Sequence, residues 1–428
     1  MKKKIVAGAV AMLFAGSAFA ASVQDVANRY MKLVLAVGVH DSSYVDAYYG
    51  PPELQKQAAD DKKSLAAIRD EVGAALNDLS TQKAANPDEA LRIEFLDKQL
   101  SSMLTRIDML NGKKFSFDDE TARLYDAVSP HHDRAHYMKL VAEIDKLLPG
   151  KGTVPERLAA FRSKMVIPKD KLKPVFDASI KECRARSEKH IDLPANENFV
   201  LEFVTNKPWS GYNWYKGNAQ SLIQINTEFP IYIDRAVDLG CHEGYPGHHA
   251  YNALLEKSLV KDKGWNEFSV YPLYSPMSLI AEGSANYGIE MAFSDAERLA
   301  FERDVLFPMA GLDPKLAKKY AELRKLLGKL SYADNDAAKH YLEGKWTKKQ
   351  TIDWLVNVQL YPAEKAPQRI SFYDGLRGYV INYNLGKDLV AKYVERHATS
   401  KDPAKAHAQK WAAFKQLLSS PRLASGIR

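Results

Sequence analysis

Four residues that could bind a metal and activate water fall within eight positions of this chain. The segment Cys-His-Glu-Gly-Tyr-Pro-Gly-His-His contains His242, Glu243, His248 and His249, and Glu282 follows in Ala-Glu-Gly-Ser-Ala. Only 11 histidines occur in 428 residues, so chance is a poor explanation for three of them in this window. Catalytic zinc takes three imidazole or carboxylate ligands and keeps one position open for water. The pattern therefore predicts a zinc hydrolase with Glu243 as its general base.

The spacing of the histidines departs from the common metallopeptidase signature His-Glu-x-x-His, whose two imidazoles lie one helical turn apart. The second histidine of that signature would fall at Pro246. Proline removes a helical hydrogen bond and clashes with the carbonyl four residues earlier, so we predict a bulge in the helix at Pro246 and Gly247. Such a bulge could bring either His248 or His249 to the metal. The spacing alone does not choose between them.

The third ligand is predicted on a separate helix. Glu282 lies in the segment 278–287, whose small side chains allow close approach to another helix, and it shares a helical face with Asn286. A charge buried on such a face is costly unless it is paired or binds a metal. Glu282 is therefore the predicted carboxylate ligand, and Glu290, two turns further on, is the weaker alternative.

The string His-Glu-Gly-Tyr-Pro-Gly-His-His, followed by Ala-Glu-Gly-Ser-Ala-Asn-Tyr-Gly, resembles the bacterial family called domain of unknown function 885 over most of residues 150–395. That family is similar in turn to the gluzincin metallopeptidases, including thimet-oligopeptidase-like and carboxypeptidase-like enzymes. In gluzincins, two histidines of one helix and a glutamate of the next hold zinc. The resemblance matches Gly247-His248 to the Gly-His pair of the oligopeptidase helix, which implies His242, His248 and Glu282 as ligands. It also implies a zincin-like architecture.

Further site residues follow from the resemblance. Tyr383, in Tyr-Asn-Leu-Gly, resembles a Tyr-Lys-Ile-Gly segment of the family, and its phenol could donate to the oxyanion of a tetrahedral intermediate. Asp336 and His340 are similar to an Asp-x-x-x-His pattern that precedes a Gly-Trp-Thr/Ser turn. We expect this pair to contact substrate or to support the metal ligands, and a surface pair four residues apart is the alternative.

Two other segments have competing interpretations. His132 and His136 have the four-residue spacing of zinc ligands on a helix, but their neighbours are polar and no carboxylate helix accompanies them. We interpret them as part of a solvated face. The aromatic segment from Trp209 to Tyr215 could form the wall of a cleft or pack beneath a loop.

The N-terminus indicates export. Lysines 2–4 precede an apolar run from Ile5 to about Ala15, and Ala-Phe-Ala at positions 18–20 is typical of a signal-peptidase site. Residues 1–20 are therefore predicted to be a cleaved signal peptide, and the mature protein to be periplasmic or secreted. No later stretch approaches the roughly 18 apolar residues that span a bilayer, so we expect no membrane insertion.

Charge and cysteine content narrow the function classes. The 60 Lys and Arg and 53 Asp and Glu residues give a formal net charge of +7, which loss of three lysines with the signal peptide lowers to +4. Because this charge is mild and dispersed, we expect no nucleic-acid partner, and the sequence indicates no particular protein partner. Cys183 and Cys241 are the two cysteines. They could pair in an oxidising compartment, but we favour unpaired packing roles for both.

Helices must supply most of the framework that positions these residues. Before the Pro- and Gly-rich segment 149–155, apolar residues recur with helical spacing, which predicts an all-helical region over residues 21–148. Examples are Val26, Tyr30, Leu33 and Val37. The metal-binding catalytic region covers residues 149–428, in which 199–204 and 221–226 have the composition of strands. We expect a mainly α fold with a small β-sheet beside the metal helix, and the two regions packed as one unit.

The predicted chemistry is hydrolysis of a carbonyl compound. Zinc held by the three ligands would lower the pKa of a bound water toward about 7, and Glu243 would take its proton and deliver it to the leaving amine. An oligopeptide is the favoured substrate because the strand 221–226 could offer its edge to an extended peptide. A non-peptide amide or ester would suit the same ligands. A non-catalytic periplasmic binding protein is the other alternative, against which the presence of Glu243 argues.

Overall fold

The computed structural model describes residues 21–207 and 209–428, so the predicted signal peptide at 1–20 lies outside the described residues. The described chain is mainly helical with small β-sheets, which confirms the predicted fold class at this level. The α-helices are α1 (Val23–His40), α2 (Pro52–Asp61), α3 (Leu65–Ser80), α4 (Pro87–Leu110), α5 (Phe117–Tyr125), α6 (Arg134–Leu147), α7 (Val154–Arg162), α8 (Leu172–Ser187), α9 (Asp234–Leu239), α10 (His248–Leu255), α11 (Pro276–Ala292), α12 (Asp295–Phe301), α13 (Phe307–Ala310), α14 (Ala317–Lys329), α15 (Tyr332–Leu342), α16 (Lys348–Asn357), α17 (Ala366–Leu376), α18 (Ile381–His397), α19 (Pro403–Leu418) and α20 (Ala424–Ile427). Turns of π-helix occupy Gly240–Gly244, Glu256–Lys261 and Glu302–Leu306. No helix in the described part of the chain has the length and apolar character needed to cross a membrane.

The first helix shows how the sequence forms these elements. Ser22 accepts a hydrogen bond from the backbone N–H of Asp25, and the Asp25 carboxylate accepts one from the backbone N–H of Ser22, which is a capping box at the start of α1. The predicted apolar stripe of α1 is at most 2% exposed at each position: Val26, Tyr30, Leu33 and Val37. This stripe packs against α3 and α4, so the helical periodicity identified the buried face correctly.

A three-stranded sheet lies beside the motif. Strands β2 (Asn198–Val204), β3 (Gly211–Tyr215) and β4 (Gln220–Asn226) are arranged in the order β2-β4-β3, with β4 parallel to β2 and antiparallel to β3. The predicted strands 199–204 and 221–226 correspond to β2 and β4. However, β4 is central and has a strand partner on each edge. The prediction that its edge is free to bind a peptide is therefore wrong.

A second, two-stranded sheet joins the N-terminal region to the rest of the chain. It pairs β1 (Val45–Tyr48) with β5 (Val270–Pro272) in antiparallel orientation. The region 21–148 was predicted to be all-helical, and this is wrong in one respect, because the region contains the strand β1. Such a short strand is formed by pairing with a partner distant in sequence, which local periodicity does not reveal. One cluster of buried hydrophobic side chains includes members from both 21–148 and 149–428.

Two glycines allow the helices that carry the candidate site to approach closely. A Cβ on Gly283 of α11 would lie 2.4 Å from the backbone carbonyl carbon of Gly386 of α18, and one on Gly386 would lie 2.5 Å from the backbone oxygen of Leu279. A larger side chain at either glycine would push the two helices apart. The close approach predicted for the small-residue segment 278–287 is therefore confirmed, with α18 as the partner.

The two cysteines form a disulfide bond, which corrects the expectation that they are unpaired. Cys183 of α8 and Cys241 have their Cα atoms 5.5 Å apart, and both side chains are fully buried. They meet because α8 packs directly against the turn Gly240–Gly244. The two positions are 58 residues apart in sequence, so only the packing of these elements reveals their proximity.

Candidate metal centre

Two imidazoles and one carboxylate converge at one place in the structure. His242, His248 and Glu282 each offer one ligand atom, and these atoms lie within 4.8 Å of one another. The Nε2 atom of His242 is 3.3 Å, and the Nε2 atom of His248 3.7 Å, from Oε2 of Glu282. None of the three side chains is more than 15% exposed. The structure thus brings together the residues that the family resemblance implies as metal ligands.

The segment between the two histidines is not a regular α-helix. Helix α9 ends in the π-helical turn Gly240–Gly244, which carries His242, and α10 begins at His248. Between them the backbone folds back so closely that a Cβ on Gly247 would lie 1.8 Å from the backbone oxygen of His242. Only glycine fits at this position. The predicted distortion is present, but it begins at Gly240, upstream of Pro246.

His249 points away from the cluster. Its Nε2 atom is 2.9 Å from Oε2 of Glu197, and its Nδ1 atom is 2.8 Å from Oγ of Ser221. The side chain is fully buried, and both ring nitrogens are engaged in these hydrogen bonds. Of the two alternatives that the spacing left open, the structure therefore places His248 at the cluster and His249 in a neighbouring polar network.

Glu282 is oriented by a phenol that the sequence analysis missed. The hydroxyl of Tyr379 donates to Oε1 of Glu282 at 2.8 Å. The other oxygen, Oε2, faces the imidazoles and is buried without a well-aligned hydrogen-bond donor. Tyr379 lies four residues before Tyr383, so helical spacing from that residue could have identified it.

Asn286 fixes the orientation of the first imidazole. Its Oδ1 atom is 3.1 Å from Nδ1 of His242, and its Nδ2 group donates to the backbone oxygen of Tyr383 at 3.1 Å. Because an amide oxygen only accepts hydrogen bonds, Nδ1 of His242 carries a proton in this contact, and Nε2 is the ring nitrogen that faces the cluster. Metal-bound histidines are commonly oriented in this way. The sequence placed Asn286 on the face of Glu282 but gave it no role.

The electrostatics of the cluster suit a bound cation. Burial by itself would raise the pKa of Glu282, but the imidazoles of His242 and His248 outweigh it and hold that pKa well below its usual range. Burial disfavours the charged form of His248, yet the Glu282 carboxylate outweighs burial and raises the His248 pKa to about 9. Glu282 and His248 thus stabilise each other's charged forms, and a metal ion at this position would compete with protons for the imidazole nitrogen. Oε2 of Glu282 has no well-aligned hydrogen-bond donor. Together with the two imidazole nitrogens, it forms a set of ligand atoms that zinc accepts.

Glu243 is buried beside the cluster of His242, His248 and Glu282. It lines the same cavity as these three residues, with a volume of about 2120 Å³, and is 4% exposed. Room for its carboxylate is provided by Gly211 of β3, where a Cβ would lie 2.7 Å from Oε1 of Glu243. Burial raises the pKa of Glu243 above its usual value, although His242 opposes the shift. A carboxyl group in this environment can both accept and return a proton.

Tyr383 faces the same cavity. Its ring centroid lies 5.8 Å from that of Tyr379, and both residues line the cavity wall. Burial, and after it the charge of Glu282, raises the pKa of Tyr383 well above its usual value. The phenol therefore remains protonated and can act as a hydrogen-bond donor at neutral pH.

Asp46 is a second cavity residue that the sequence analysis missed. It accepts a hydrogen bond from the hydroxyl of Tyr212, and burial raises its pKa to about 7 although nearby His248 opposes the shift. The register of β1 shifts between Val45 and Ala47, so Asp46 occupies a β-bulge. Bulges often redirect a side chain next to functional sites. No signal in the sequence connects this strand to the distant histidine motif.

The pair Asp336 and His340 does not reach the cluster, and neither residue lines the cavity. Asp336 accepts hydrogen bonds from Nδ1 of His131 at 2.8 Å and from the hydroxyl of Tyr137 at 2.6 Å. The ring of His340 packs against that of Trp346, with centroids 4.3 Å apart. Helix α15 thus directs Asp336 toward the N-terminal helices instead of the cavity. The role predicted for this pair at the site is not supported.

The two ambiguous segments are also resolved by position. His132 and His136 stack with ring centroids 4.2 Å apart on an exposed face, and no ligand cluster in the described residues includes them. This placement agrees with their interpretation as a solvated face. Residues 209–213 line the cavity, so the first part of the aromatic segment is a cleft wall.

Comparisons with known proteins do not assign a function. No protein-family model matches the chain, and no curated protein matches its sequence. A structure described as "the putative lipoprotein from Colwellia psychrerythraea" matches 89% of this chain and 77% of its own, with 15% identity and a TM-score of 0.49. One described as "BsuCP Crystal Structure" matches 92% and 90%, with 12% identity and a TM-score of 0.43. A "putative lipoprotein of unknown function from Shewanella oneidensis" matches 85% and 75%, with 13% identity and a TM-score of 0.38.

Proposed function

We propose that this chain is a zinc-dependent hydrolase that cleaves peptide bonds. The observation that supports the proposal most is the convergence of His242, His248 and Glu282 beside the buried carboxylate of Glu243. A structural zinc site closes its coordination with a fourth protein ligand, whereas a catalytic site keeps one position open. All four side chains line a cavity of about 2120 Å³ that could admit a substrate. These features favour a catalytic role over a structural one.

Each residue of the site has a defined role in this proposal. The three ligands would hold zinc, which when bound supplies Lewis acidity toward a carbonyl oxygen and lowers the pKa of coordinated water. Glu243 accepts a proton from the attacking water and passes it to the leaving nitrogen, and its raised pKa favours the first of these transfers. Tyr383 donates a hydrogen bond to the oxygen that becomes negative as the carbonyl is attacked. Tyr379 holds Glu282 in place through its hydroxyl.

An extended peptide is the favoured substrate because of the strand that borders the cavity. In the described part of the chain β3 pairs only with β4, and residues 209–213 line the cavity. A peptide could add to the free edge of β3 through main-chain hydrogen bonds, with little preference for side chains. In this proposal β3, and not the strand at 221–226, provides the edge that binds the peptide. Gly211 places β3 directly against the carboxylate of Glu243, since a Cβ there would lie 2.7 Å from its Oε1.

The proposal extends to architecture and location. The ligands come from the kinked segment and from α11, which is the arrangement expected of a zincin-like protein related to domain of unknown function 885. The predicted signal peptide and the disulfide bond between Cys183 and Cys241 both favour an oxidising compartment. We therefore place the proposed peptidase in the periplasm or outside the cell.

Metal analysis with matched variants tests the ligand set. We expect one zinc ion per wild-type chain and loss of that ion in Glu282→Gln. The control Glu290→Gln changes a glutamate of the same helix that pairs with Lys387, and it should retain zinc. Glu243→Gln should also retain zinc while hydrolysis falls by about 10²- to 10⁴-fold, because only proton transfer is lost.

A panel of quenched fluorescent peptides, small amides and esters tests the substrate class. Hydrolysis of peptides by wild type, abolished by a chelator and restored by zinc, is the expected result. Cleavage of the small amides or esters alone would replace the peptide with a non-peptide substrate. A Glu243→Gln variant as active as wild type would exclude Glu243 as the base. Failure of the wild type to take up added zinc would reject the proposal.

A further inference from the structure

Helix α8 holds the kinked segment 240–249 through two consecutive residues. Cys183 forms the disulfide bond with Cys241, the residue directly before His242. Arg184 forms an ion pair with Glu197, whose side chain is 2% exposed. The first contact lies near the start of the kink, and the second leads to residues at its end. Adjacent positions on one helix are thus connected to both ends of the distortion.

Glu197 connects α8 to the downstream part of the segment. Its Oε2 atom accepts hydrogen bonds from the hydroxyl of Tyr245 at 2.5 Å and from Nε2 of His249 at 2.9 Å. The other nitrogen of His249 is bonded to Ser221 of β4. His249 is fixed at both ring nitrogens and directly follows His248. The start of α10 is therefore anchored to α8 and to the sheet.

The α-helical hydrogen-bond pattern is interrupted in this part of the backbone, where the N–H of Gly247 donates to the backbone oxygen of Cys241 at 3.0 Å. Residues Gly240–Gly244 form a π-helical turn, and the chain is not helical again until His248. An interrupted α-helix is more easily deformed than a continuous one, so tertiary contacts help to set the relative positions of His242 and His248. Phe199 of β2 adds to these contacts, since its ring lies 5.4 Å from that of Tyr245 and 5.3 Å from that of His249.

We propose that the disulfide bond and the Glu197–His249 pair form a two-point clamp that positions the imidazoles of His242 and His248 for metal binding. This inference rests on the proposed function, because it takes the cluster to be a metal site. It assigns Cys183, Cys241 and His249 as positioning residues. It also makes tight metal binding depend on formation of the disulfide, and hence on export to an oxidising compartment.

Zinc affinity and the visible spectrum of the cobalt-substituted protein test the clamp. Two variants each remove one point of it: Cys183→Ala combined with Cys241→Ala, and His249→Phe. We expect zinc affinity, measured by competition with a chromophoric chelator, to fall about 10- to 100-fold in each, as for other residues that orient metal ligands. The cobalt absorption bands should shift, because the ligand geometry changes. His249→Gln, whose amide can still donate to Glu197, should recover part of the affinity.

A matched control separates positioning from a general loss of stability. Glu267→Gln disrupts the buried ion pair of Arg92 and Glu267, 2.6 Å long, which belongs to a different part of the fold. This variant should unfold at a lower temperature than wild type but keep its zinc affinity and cobalt spectrum. Clamp variants that retain wild-type affinity and spectrum would overturn the clamp alone. An equal loss of affinity in Glu267→Gln would also overturn it. If wild type binds no zinc, the proposed function fails, and the clamp fails with it.

Discussion

Replacing Gly211 with alanine should impair catalysis while leaving the metal ligands in place. The new Cβ would lie 2.7 Å from Oε1 of Glu243 and 2.9 Å from Cδ2 of Leu239. Ordinary contacts begin at 3.4 Å, so the carboxylate must move by about 0.7 Å. Because a displacement of about 1 Å in a reacting group can slow a reaction by about 10²-fold, we expect kcat/KM to fall by 10- to 100-fold, or about 1.4 to 2.7 kcal/mol.

The assay combines kcat/KM for a quenched peptide with the zinc content and the unfolding temperature. Crowding against Glu243 and Leu239 should lower the free energy of unfolding by about 1 to 3 kcal/mol. Gly73→Ala is the control, since Gly73 lies within α3 and a Cβ there would meet nothing within 4 Å. That variant should gain about 0.5 to 1 kcal/mol of stability and keep wild-type activity.

Two results would refute this reasoning about Gly211. Wild-type kcat/KM in the zinc-loaded Gly211→Ala protein would mean that the position of the Glu243 carboxylate does not limit the reaction. Loss of zinc from the same variant would mean that the crowding displaces the metal ligands instead of the carboxylate. In either case the role assigned to the contact between Gly211 and Glu243 would be wrong.

Three further substitutions test the electrostatics of the structure. The hydrogen bond to Asp336 raises the pKa of His131, so His131→Gln should lower the free energy of unfolding by about 1 kcal/mol, after solvent screening, below pH 6. That difference should disappear as the pH rises through the raised pKa, which denaturant titrations at several pH values would show. Burial lowers the pKa of Lys365 to about 8, so the folded state disfavours the charged form of this side chain. Lys365→Met should therefore stabilise the protein by up to about 3 kcal/mol at pH 7. The same titrations should show no stabilisation above about pH 10.5, where the lysine is neutral in both the folded and the unfolded state. Tyr379→Phe removes the donor to Glu282 and should weaken zinc binding about 10-fold in a chelator competition; unchanged affinity would exclude this role.

The periodic spacing of apolar residues predicted those helices and strands that are long enough to show a repeated pattern. The buried stripe of α1 and the strands at 199–204 and 221–226 were identified because their own side chains carry the pattern. β1 and β3 were missed because neither carries a strong alternating pattern. The order of strands in the sheets could not be predicted, because two of the strands had been missed. Whether β4 is central or at an edge depends on β3, which the sequence presented only as an aromatic segment.

The residues of the candidate site also fall into two groups, those that local sequence could identify and those that only the tertiary fold reveals. Residues within recognisable segments, such as His242 and Glu243 in the histidine motif and Glu282 in the small-residue segment 278–287, were identified from residue type and local pattern. Asp46 and Tyr379 were not, because they reach the cavity only through the tertiary fold. The spacing of Asp336 and His340 matched a family pattern, but helix α15 directs Asp336 to His131 and Tyr137. Spacing along one helix gives a shared face, and only the packing of that helix decides what the face contacts.

Contacts made from outside the motif explain why the choice between His248 and His249 could not be made from spacing. An uninterrupted helix would place the two imidazoles on different faces, and a bulge of unknown form could bring either one to the metal. The form of the bulge is set by contacts from outside the segment: the bond from Cys183 upstream, and Glu197 downstream. Because Glu197 engages His249, the preceding imidazole is left to face Glu282. Which of the two imidazoles faces Glu282 is therefore a property of the surrounding network, which lies outside the motif itself.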